Sequence, residues 1–368
     1  MTETRGAMPS TSRRTAVAAV AGLLCVACLG LTDAAPATAV ERVSIAVLPF
    51  VSSAPIFIAE SRGFFAEEGL AAELRFFQAA QPVALAVASG DLDFGVTGLT
   101  AGFYNLAGRG ALRIIAGQAR VEPGDEFMAY VVSSRAWQAG LVGLDDLPGR
   151  SIGITQTGST FHYMVGRLAE KRGFALERVR LVTLESVPNV IAALRGGRID
   201  AALLPGHLAH PLVGEGVAKI LGWAGDETPW QLGAVFTSPR TIERRGAVVE
   251  AFLRAYRRGA AVYDQVLLGG RGTPPSSSDS TSAGPGSTRE PSAAGSRPTA
   301  AARALAEELR RFIPSSVDEI LDGAPVIDPQ GRLEVADVRE QVAWYQARGL
   351  VDRGVKVDAL LAPQVLLR

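Results

Sequence analysis

The segment Gly153–Phe174, GITQTGSTFHYMVGRLAEKRGF, decides the fold class of this chain. It opens on the end of a short apolar run of strand character, turns at Gly158 and Ser159, and continues with helical spacing as far as Gly173. Serine is common at a helix start, basic residues in the last turn suit the helix dipole, and glycine commonly ends a helix. The segment therefore predicts the strand–turn–helix unit of an α/β protein.

The same alternation extends in both directions from this unit. Upstream, RVSIAV, LRFF and DFGV read as strands separated by helical stretches, and the first of these, IFIAESRGFFAEEG, is expected to run as one helix up to Gly69. Downstream, VRLVTL and IDAALL read as strands on either side of the helical VPNVIAALRGG. Two βαβαβ sets, the second from about 150 to 235, predict an α/β fold with mainly parallel strand pairing.

Length and composition limit the class of protein. The chain has 368 residues, which is long for one compact core and suggests about two domains of ordinary size. Apolar residues make up 48% of the chain, and 37 Lys and Arg residues balance 37 Asp and Glu residues. Because no basic face or tail is apparent, nucleic acid is a poor candidate partner.

The N-terminal segment, residues 1–39, reads as an export signal. Arg13 and Arg14 precede the apolar run Ala16–Leu31, which is short for a membrane span, and Ala37–Ala39 has the small residues of a cleavage site. We therefore expect a periplasmic or otherwise extracytoplasmic protein. The arginine pair leaves both the general secretory route and the twin-arginine route open.

Both cysteines of the chain lie in this segment. Cys28 leaves a lipid anchor open, although Cys25 stands where leucine is usual before an acylated cysteine. Without the segment, the chain has no thiol for a disulfide or a metal. A second compositional break, residues 269–300, is rich in Gly, Ser, Pro and Thr and predicts a disordered insertion between helical stretches.

Ser159, Thr160 and His162, at the start of the opening helix, admit three interpretations. A nucleophile with its base needs a third group that orients the base, and the G-x-S-x-G elbow is absent. A plain helix cap and a cradle for a polar ligand fit better, because the free N–H groups of a helix start attract carboxylate, sulfonate, phosphate or carbonyl oxygens. The residues alone leave cap and cradle equally open.

Two further clusters carry imidazole or indole side chains. His207 and His210 could hold a metal, but no third ligand of matching spacing is visible, so we expect no metal site. Trp223 and Trp230 with Asp226 and Glu227 could bind a flat or cationic ligand, or could form a surface turn flanked by core tryptophan residues. No P-loop, dinucleotide-binding or zinc-protease motif occurs, and we expect no cofactor.

Six stretches, in a consistent order along the chain, carry a resemblance to one family. They are SAPIFIAESRGFFAEEGL, ASGDLDFGVTG, LDDLPGRSIGI, VIAALRGGRIDAALLP, VEAFLRAYRRGAAVYD and IDPQGRLEVADVREQVAWYQARGLV. They are similar to the nitrate-, taurine- and alkanesulfonate-type substrate-binding proteins of ABC importers, whose relatives bind pyrimidine precursors of thiamine. The resemblance covers the chain after residue 39, except the insertion.

The resemblance implies a type II periplasmic-binding-protein fold, with two α/β lobes, two crossing strands and a ligand cleft between the lobes. Lobe 1 would hold residues 42–128 and 237–368, and lobe 2 would hold residues 133–233. FMAYVVSS and QLGAVFTS would be the crossing strands. The implied function is not enzymatic: a monomer captures a small organic solute by hinge closure and delivers it to a permease with a cytoplasmic ATPase.

The ligand contacts of the family carry over to this chain by position, and Trp223 is added from the tryptophan cluster. The expected ligand-binding residues are Phe50, Ser52, Ser53, Thr97, Gly98, Gly158, Ser159, Thr160, Phe161, His162, Pro205, His207 and Trp223. The aromatic residues among them favour an aromatic or pyrimidine-like solute over a sulfonate- or nitrate-type anion. Asp226 and Glu227 would also disfavour a bare anion if they face the cleft.

Two other functions stay open. The fold is shared with eukaryotic pyrimidine synthases for thiamine, which consume an active-site histidine and use a cysteine-rich iron motif. A chain with an export signal and no cysteine after residue 39 fits such an enzyme poorly. The other function is solute sensing without transport, which a permease and an ATPase encoded beside the gene would argue against.

Overall fold

The computed structural model describes residues 40–269 and 298–362. The predicted export signal, with Cys28, and most of the predicted insertion 269–300 lie outside these residues. The strands are β1 (Glu41–Val47), β2 (Leu70–Phe76), β3 (Phe94–Gly98), β4 (Arg113–Gly117), β5 (Ala119–Val121), β6 (Met128–Ser133), β7 (Ser151–Ile154), β8 (Arg180–Thr183), β9 (Ala201–Pro205), β10 (Ala218–Trp223), β11 (Trp230–Gln231), β12 (Gly233–Thr237) and β13 (Val326–Ile327). The α-helices are α1 (Ala54–Ser61), α2 (Phe64–Glu67), α3 (Ala80–Ser89), α4 (Ala101–Gly108), α5 (Ser134–Gln138), α6 (Thr160–Arg172), α7 (Val187–Arg195), α8 (Gly206–Gly214), α9 (Ala224–Glu227), α10 (Pro239–Arg244), α11 (Gly246–Tyr263), α12 (Ala300–Leu309), α13 (Val317–Asp322) and α14 (Val335–Ala347). Within the described ranges, no helix is both long enough and apolar enough to span a bilayer.

The first sheet has the strand order β2-β1-β3-β12-β4. β1 pairs in parallel with β2 and β3, as the predicted βαβαβ set requires, whereas β12 lies antiparallel between β3 and β4. Parallel strands end at the same edge of a sheet, so the segments that follow β1 and β3 lie side by side.

The second sheet has the strand order β10-β6-β9-β7-β8. β7, the strand of the opening unit, pairs in parallel with β8 and β9, and β6 is antiparallel to β9 and β10. The turn that follows β7 and the start of α8 after β9 therefore share one edge of this sheet.

The chain passes between the two sheets along β5 and β11, which pair antiparallel with Trp230 opposite Val121. The two segments predicted from the sequence as crossing strands therefore do not cross between the sheets. FMAYVVSS contains β6, inside the second sheet, and QLGAVFTS contains β12, inside the first, and every residue of both strands is buried. A strand covered on both faces reads as a continuous apolar run, which pattern alone does not distinguish from a linking strand.

The opening helix forms as predicted and the first helix does not. In α6, Ser159 Oγ accepts the His162 N–H at 3.3 Å, and Gly173 ends the helix at a φ of 72°. The helix expected to run to Gly69 is interrupted between α1 and α2, because Gly63 has a φ of 71°. That left-handed conformation ends the first helix and redirects the chain.

The C-terminal helix α14 packs against elements of both sheets. Tyr104 of α4 donates its hydroxyl proton to Gln341 Oε1 at 2.9 Å, and Gln341 Nε2 donates to the Gln231 carbonyl of the crossing strand β11 at 2.7 Å. Trp344 lies against Gly166 of α6, where a Cβ atom would stand 1.9 Å from the indole ring. The helix α14 thus contacts both sides of the molecule near the crossing strand β11.

Gly166→Ala is expected to lower the free energy of unfolding by about 1–3 kcal/mol, because the added methyl group overpacks the contact with Trp344. Gly214→Ala is the matched control, since a Cβ atom there at the end of α8 would meet no atom within 4 Å. Alanine favours helix over glycine, so the control should be neutral or stabilising. Urea unfolding followed by circular dichroism measures both, and equal effects would contradict the packing argument.

Candidate ligand-binding cleft

A cleft lies where the strand-end segments of the two sheets face each other. It encloses about 650 Å³, part of which is open to solvent. Eight of the predicted site residues line it: Phe50, Ser52, Thr97, Gly98, Ser159, Thr160, Phe161 and Pro205. The fold thus brings together residues from four separate parts of the sequence, and their role in binding stays a prediction.

Most of these residues lie where a strand gives way to a helix. Ser52 belongs to the single helical turn Val51–Ser53 between β1 and α1, and Thr97 is next to the last residue of β3. Thr160 begins α6, and Pro205 ends β9 directly before α8. The first N–H groups of a helix have no partner within the helix and carry partial positive charge. The start of α6 can offer such N–H groups, whereas the Gly206 N–H at the start of α8 already donates to the Phe127 carbonyl at 2.7 Å.

Backbone hydrogen bonds join the two sides of the cleft. Ala101 N–H of α4 donates to the Gly158 carbonyl at 2.9 Å, and Val187 N–H of α7 donates to the Gln78 carbonyl at 3.3 Å. In each pair one residue follows a strand of the first sheet and the other follows a strand of the second. The two sides are in direct contact, which is the closed arrangement of the cleft.

The remaining predicted residues do not line the cleft: Ser53, Gly158, His162, His207 and Trp223. Ser53 is buried at the start of α1, and its Oγ has no hydrogen-bond partner among the described residues. Trp223 lies at the end of β10, with its ring 5.6 Å from the ring of His210. The indole of Trp223 therefore packs on a neighbouring side chain instead of lining the cleft.

His162 supports the turn that precedes α6. Its Nδ1 accepts the Gly158 N–H at 3.0 Å, and its ring packs edge-on against Trp344 at a centroid distance of 5.4 Å. Burial, with a further contribution from Arg348, lowers the pKa of His162 and favours the neutral imidazole that can accept this bond. Ser159 Oγ accepts the backbone N–H of His162 and makes no bond to the ring. Ser159 and His162 are therefore not arranged as a nucleophile and its base.

His207 is fully buried near the start of α8. Its ring lies 5.6 Å from that of Phe50, and neither of its nitrogens has a hydrogen-bond partner among the described residues. Burial lowers the pKa of His207 to about 3. His210 instead places Nε2 3.1 Å from Glu126, and no three His, Cys, Asp or Glu side chains gather as a metal group in the described part of the chain. The two histidines therefore occupy different surroundings.

The acidic pair near Trp223 is engaged in local contacts. Glu227 accepts from Arg172 at 2.6 Å and lies 3.3 Å from Lys171, and these cations lower the pKa of Glu227 against the opposing effect of burial. Asp226 accepts the Gly124 N–H at 2.8 Å. Neither carboxylate lines the cleft, so the sequence argument that they repel an anion there does not apply.

Sequence reasoning missed the other lining residues. They are Leu48, Ala79, Ala80, Gln81, Thr100, Gln118, Phe127, Met128, Thr155, Gln156, Val187 and Leu232. Ala80 begins α3 after β2 and Val187 begins α7 after β8, so the rule that placed Thr160 in the cleft would have found both. Gln118 lies between β4 and β5, where no motif marks it.

The lining carries no formal charge. Among the described residues that line the cleft, none is Asp, Glu, Lys, Arg or His; the polar groups are hydroxyls and primary amides, and Phe50, Phe127 and Phe161 are among the apolar ones. There is therefore no cation here to pair with an anionic ligand and no carboxylate to pair with a cation. Such a lining suits an uncharged, largely flat molecule with a few polar atoms.

Several solved structures share this fold. The alkanesulfonate-binding protein SsuA from Xanthomonas axonopodis pv. citri, bound to MOPS, is 17% identical, with a TM-score of 0.65 over 89% of this chain and 99% of that chain. The periplasmic nitrate-binding protein NrtA from Synechocystis is 12% identical, with a TM-score of 0.66 over 89% and 87%. A mutant of DSZB in complex with biphenyl-2-sulfinic acid is 13% identical, with a TM-score of 0.55 over 89% and 98%.

These likenesses confirm the predicted fold class: the chain has the two-lobed periplasmic-binding-protein fold. The family described as NMT1/THI5 like matches residues 51–263, a range that includes the second sheet and every strand of the first sheet except β1. The chain belongs to this family. No curated protein matches the sequence.

Burial of His207 makes the stability of the fold depend on pH. Because its pKa falls to about 3 in the folded chain, the unfolded chain binds more protons between about pH 6.5 and that value. The contribution is fully present above about pH 6.5 and is lost as the pH falls, by about 2 kcal/mol at pH 5. Urea unfolding at pH 7 and pH 5 measures this loss.

The matched variants are His207→Met and His210→Gln. The first should shrink the difference between pH 7 and pH 5, because the titrating group is gone, and the second should leave it nearly intact, because His207 is still present. A pH dependence that survives His207→Met unchanged would assign the effect to other groups.

Proposed function

We propose that this protein is the extracytoplasmic solute-binding component of an ABC importer, and that its cleft captures a small, uncharged aromatic or pyrimidine-like solute. Membership of the NMT1/THI5-like family supports a binding role, and the solved relatives named for ABC-type import, sulfonate binding and nitrate binding share its fold. In this proposal the lobes close over the solute by a hinge motion and present it to a permease.

The observation that carries the choice of solute is the uncharged lining of the cleft. Three phenylalanine rings offer stacking surfaces, and the amides and hydroxyls between them offer both donors and acceptors. A closed cleft with these groups orients a flat solute by hydrogen bonds instead of by ion pairs.

A sulfonate- or nitrate-type anion is the second candidate. The helix starts at Ala80 and Thr160 favour it, because N-terminal N–H groups attract anionic oxygens. The missing cation argues against it, since a desolvated anion then depends on partial charges alone. An enzymatic role is not proposed, because Ser159 and His162, the candidate nucleophile and base, make no side-chain contact with each other.

A thermal-shift screen with native mass spectrometry tests the proposal. The panel is alkanesulfonates, nitrate, aromatic carboxylates and pyrimidines, and a ligand of the folded state raises the melting temperature by mass action. We expect a pyrimidine or another uncharged aromatic compound to give the largest shift. Thr97→Val, which removes a buried hydroxyl from the cleft, should reduce that shift, whereas Thr183→Val on the exposed end of β8 should not. No shift and no co-purified solute would overturn the binding role.

A further inference from the structure

His207 is buried where the two sides of the molecule meet. It lies near the start of α8, directly after β9 of the second sheet, and none of its surface is exposed to solvent. Its ring lies 5.6 Å from the ring of Phe50, which follows β1 of the first sheet and lines the cleft. The aromatic ring that covers the histidine is therefore also part of the wall of the cleft.

The segment after α13 covers His207 from the same side as Phe50. A Cβ atom at Gly323 would stand 2.6 Å from the His207 backbone nitrogen and 3.1 Å from the His207 Cβ. The helix α13 packs against α12, and α12 packs against α1, which follows β1 of the first sheet. Both neighbours thus belong to the side opposite α8, so separation of the two sides would admit water to the histidine.

The imidazole of His207 has no partner that compensates for its burial. A neutral imidazole carries one donor and one acceptor, and neither nitrogen of His207 has a hydrogen-bond partner among the described residues. When the two sides separate, water can satisfy both nitrogens and can also solvate a protonated ring. The closed arrangement therefore disfavours the protonated ring more strongly than a separated arrangement does.

Charged residues on the segments around α8 do not offset this burial. The helix packs against β6, β9, β10 and α13, and neither β6 nor β9 carries a charged residue. The charged residues on or beside the packed segments are Glu126, Lys219, Asp318, Glu319 and Asp322. Glu126 lies 3.1 Å from His210 Nε2, and burial alone lowers the pKa of His207. The protonated ring thus has no carboxylate that would stabilise it in the closed molecule.

We propose that His207 makes closure of the cleft sensitive to acid: the two sides close over the neutral ring and separate when the ring is protonated. Above about pH 6.5 the ring is neutral in both arrangements, so the pH has no effect on closure. Below that value the separated arrangement takes up protons and gains population. Release of a solute by acid rests on the proposed function, whereas opening of the cleft does not.

Amide hydrogen exchange of the full chain, without added solute, tests the proposal. The Ala101 and Val187 N–H groups begin α4 and α7, so they have no partner within their helices and are protected by their bonds across the cleft. Their protection factors, the ratio of intrinsic to measured exchange rates, should fall about thirtyfold between pH 7 and pH 5. Val131, in β6 between β9 and β10, should stay at least about tenfold more protected at both pH values, because it exchanges only when the sheet unfolds.

Two histidine variants assign the effect to one residue. His207→Met should reduce the fall in protection to less than about threefold, because the titrating group is gone, and His210→Gln should leave the fall intact. Val187 is the decisive amide, since its acceptor is Gln78, whereas Ala101 donates to Gly158, which itself contacts His162.

A glycine variant tests the geometry if His207→Met does not fold. Gly323→Ala adds a methyl group against the backbone of α8 and should lower the protection of Val187 at least about tenfold at pH 7, because the two sides can no longer approach as closely. Gly354→Ala is the matched control, since a Cβ atom there would meet no atom within 4 Å.

Equal protection of Val131 and Val187 would overturn the inference, because exchange would then require unfolding of the whole chain. Protection of Val187 that does not fall below pH 6.5, or a fall that His207→Met leaves unchanged, would also overturn it. None of these results touches the proposed function, which the thermal-shift screen tests with solutes. If opening depends on pH as expected and the screen gives no ligand, the inference stands and the binding function fails.

Discussion

The backbone contact between Ala101 and Gly158 is the constraint on which the closed cleft depends. Gly158 has a φ of 79°, and a Cβ atom there would stand 2.8 Å from the Cβ of Ala101. A glycine at this position lets the starts of α4 and α6 approach closely enough for the Ala101 N–H to reach the Gly158 carbonyl. The Gly158 N–H donates to His162 Nδ1 at 3.0 Å. One residue thus fixes the turn and joins it to the opposite sheet.

The C-terminal helix holds the same turn from behind. Tyr345 donates its hydroxyl proton to the Ser159 carbonyl at 3.1 Å, and Gln341, one helical turn earlier, is bonded to Gln231 of the crossing strand. Burial raises the pKa of Tyr345 far above its ordinary value, so its hydroxyl stays protonated and remains a donor. The helix α14 therefore contacts the crossing strand and the cleft turn at the same time.

Local sequence patterns predicted the helices and strands better than they predicted what individual side chains contact. The strand, turn and helix around Ser159 followed from capping and periodicity, and the resemblance to known binding proteins led to Thr97, Gly98 and Thr160 at the cleft. The conformation of single residues was not legible: Gly63 adopts a left-handed φ that splits a helix which periodicity joined, and the His162 ring accepts the Gly158 N–H instead of lining the cleft. A single sequence does not record which backbone conformation or side-chain direction such a residue takes.

In the proposed function, the uncharged lining of the cleft leaves hydrogen bonds and stacking as the means of recognition. Arg172 and Lys171, in the last turn of α6, pair with Glu227 of α9 away from the cleft, and none of the described lining residues carries a formal charge. Where fixed charges are absent, the free energy of binding depends on stacking and on the pairing of each buried donor and acceptor. In the proposed function, closure of the lobes would exclude water from those groups, so an unpaired amide would cost more than in an open state. The proposed closure would therefore favour a solute whose polar atoms match the cleft over one of equal size that does not.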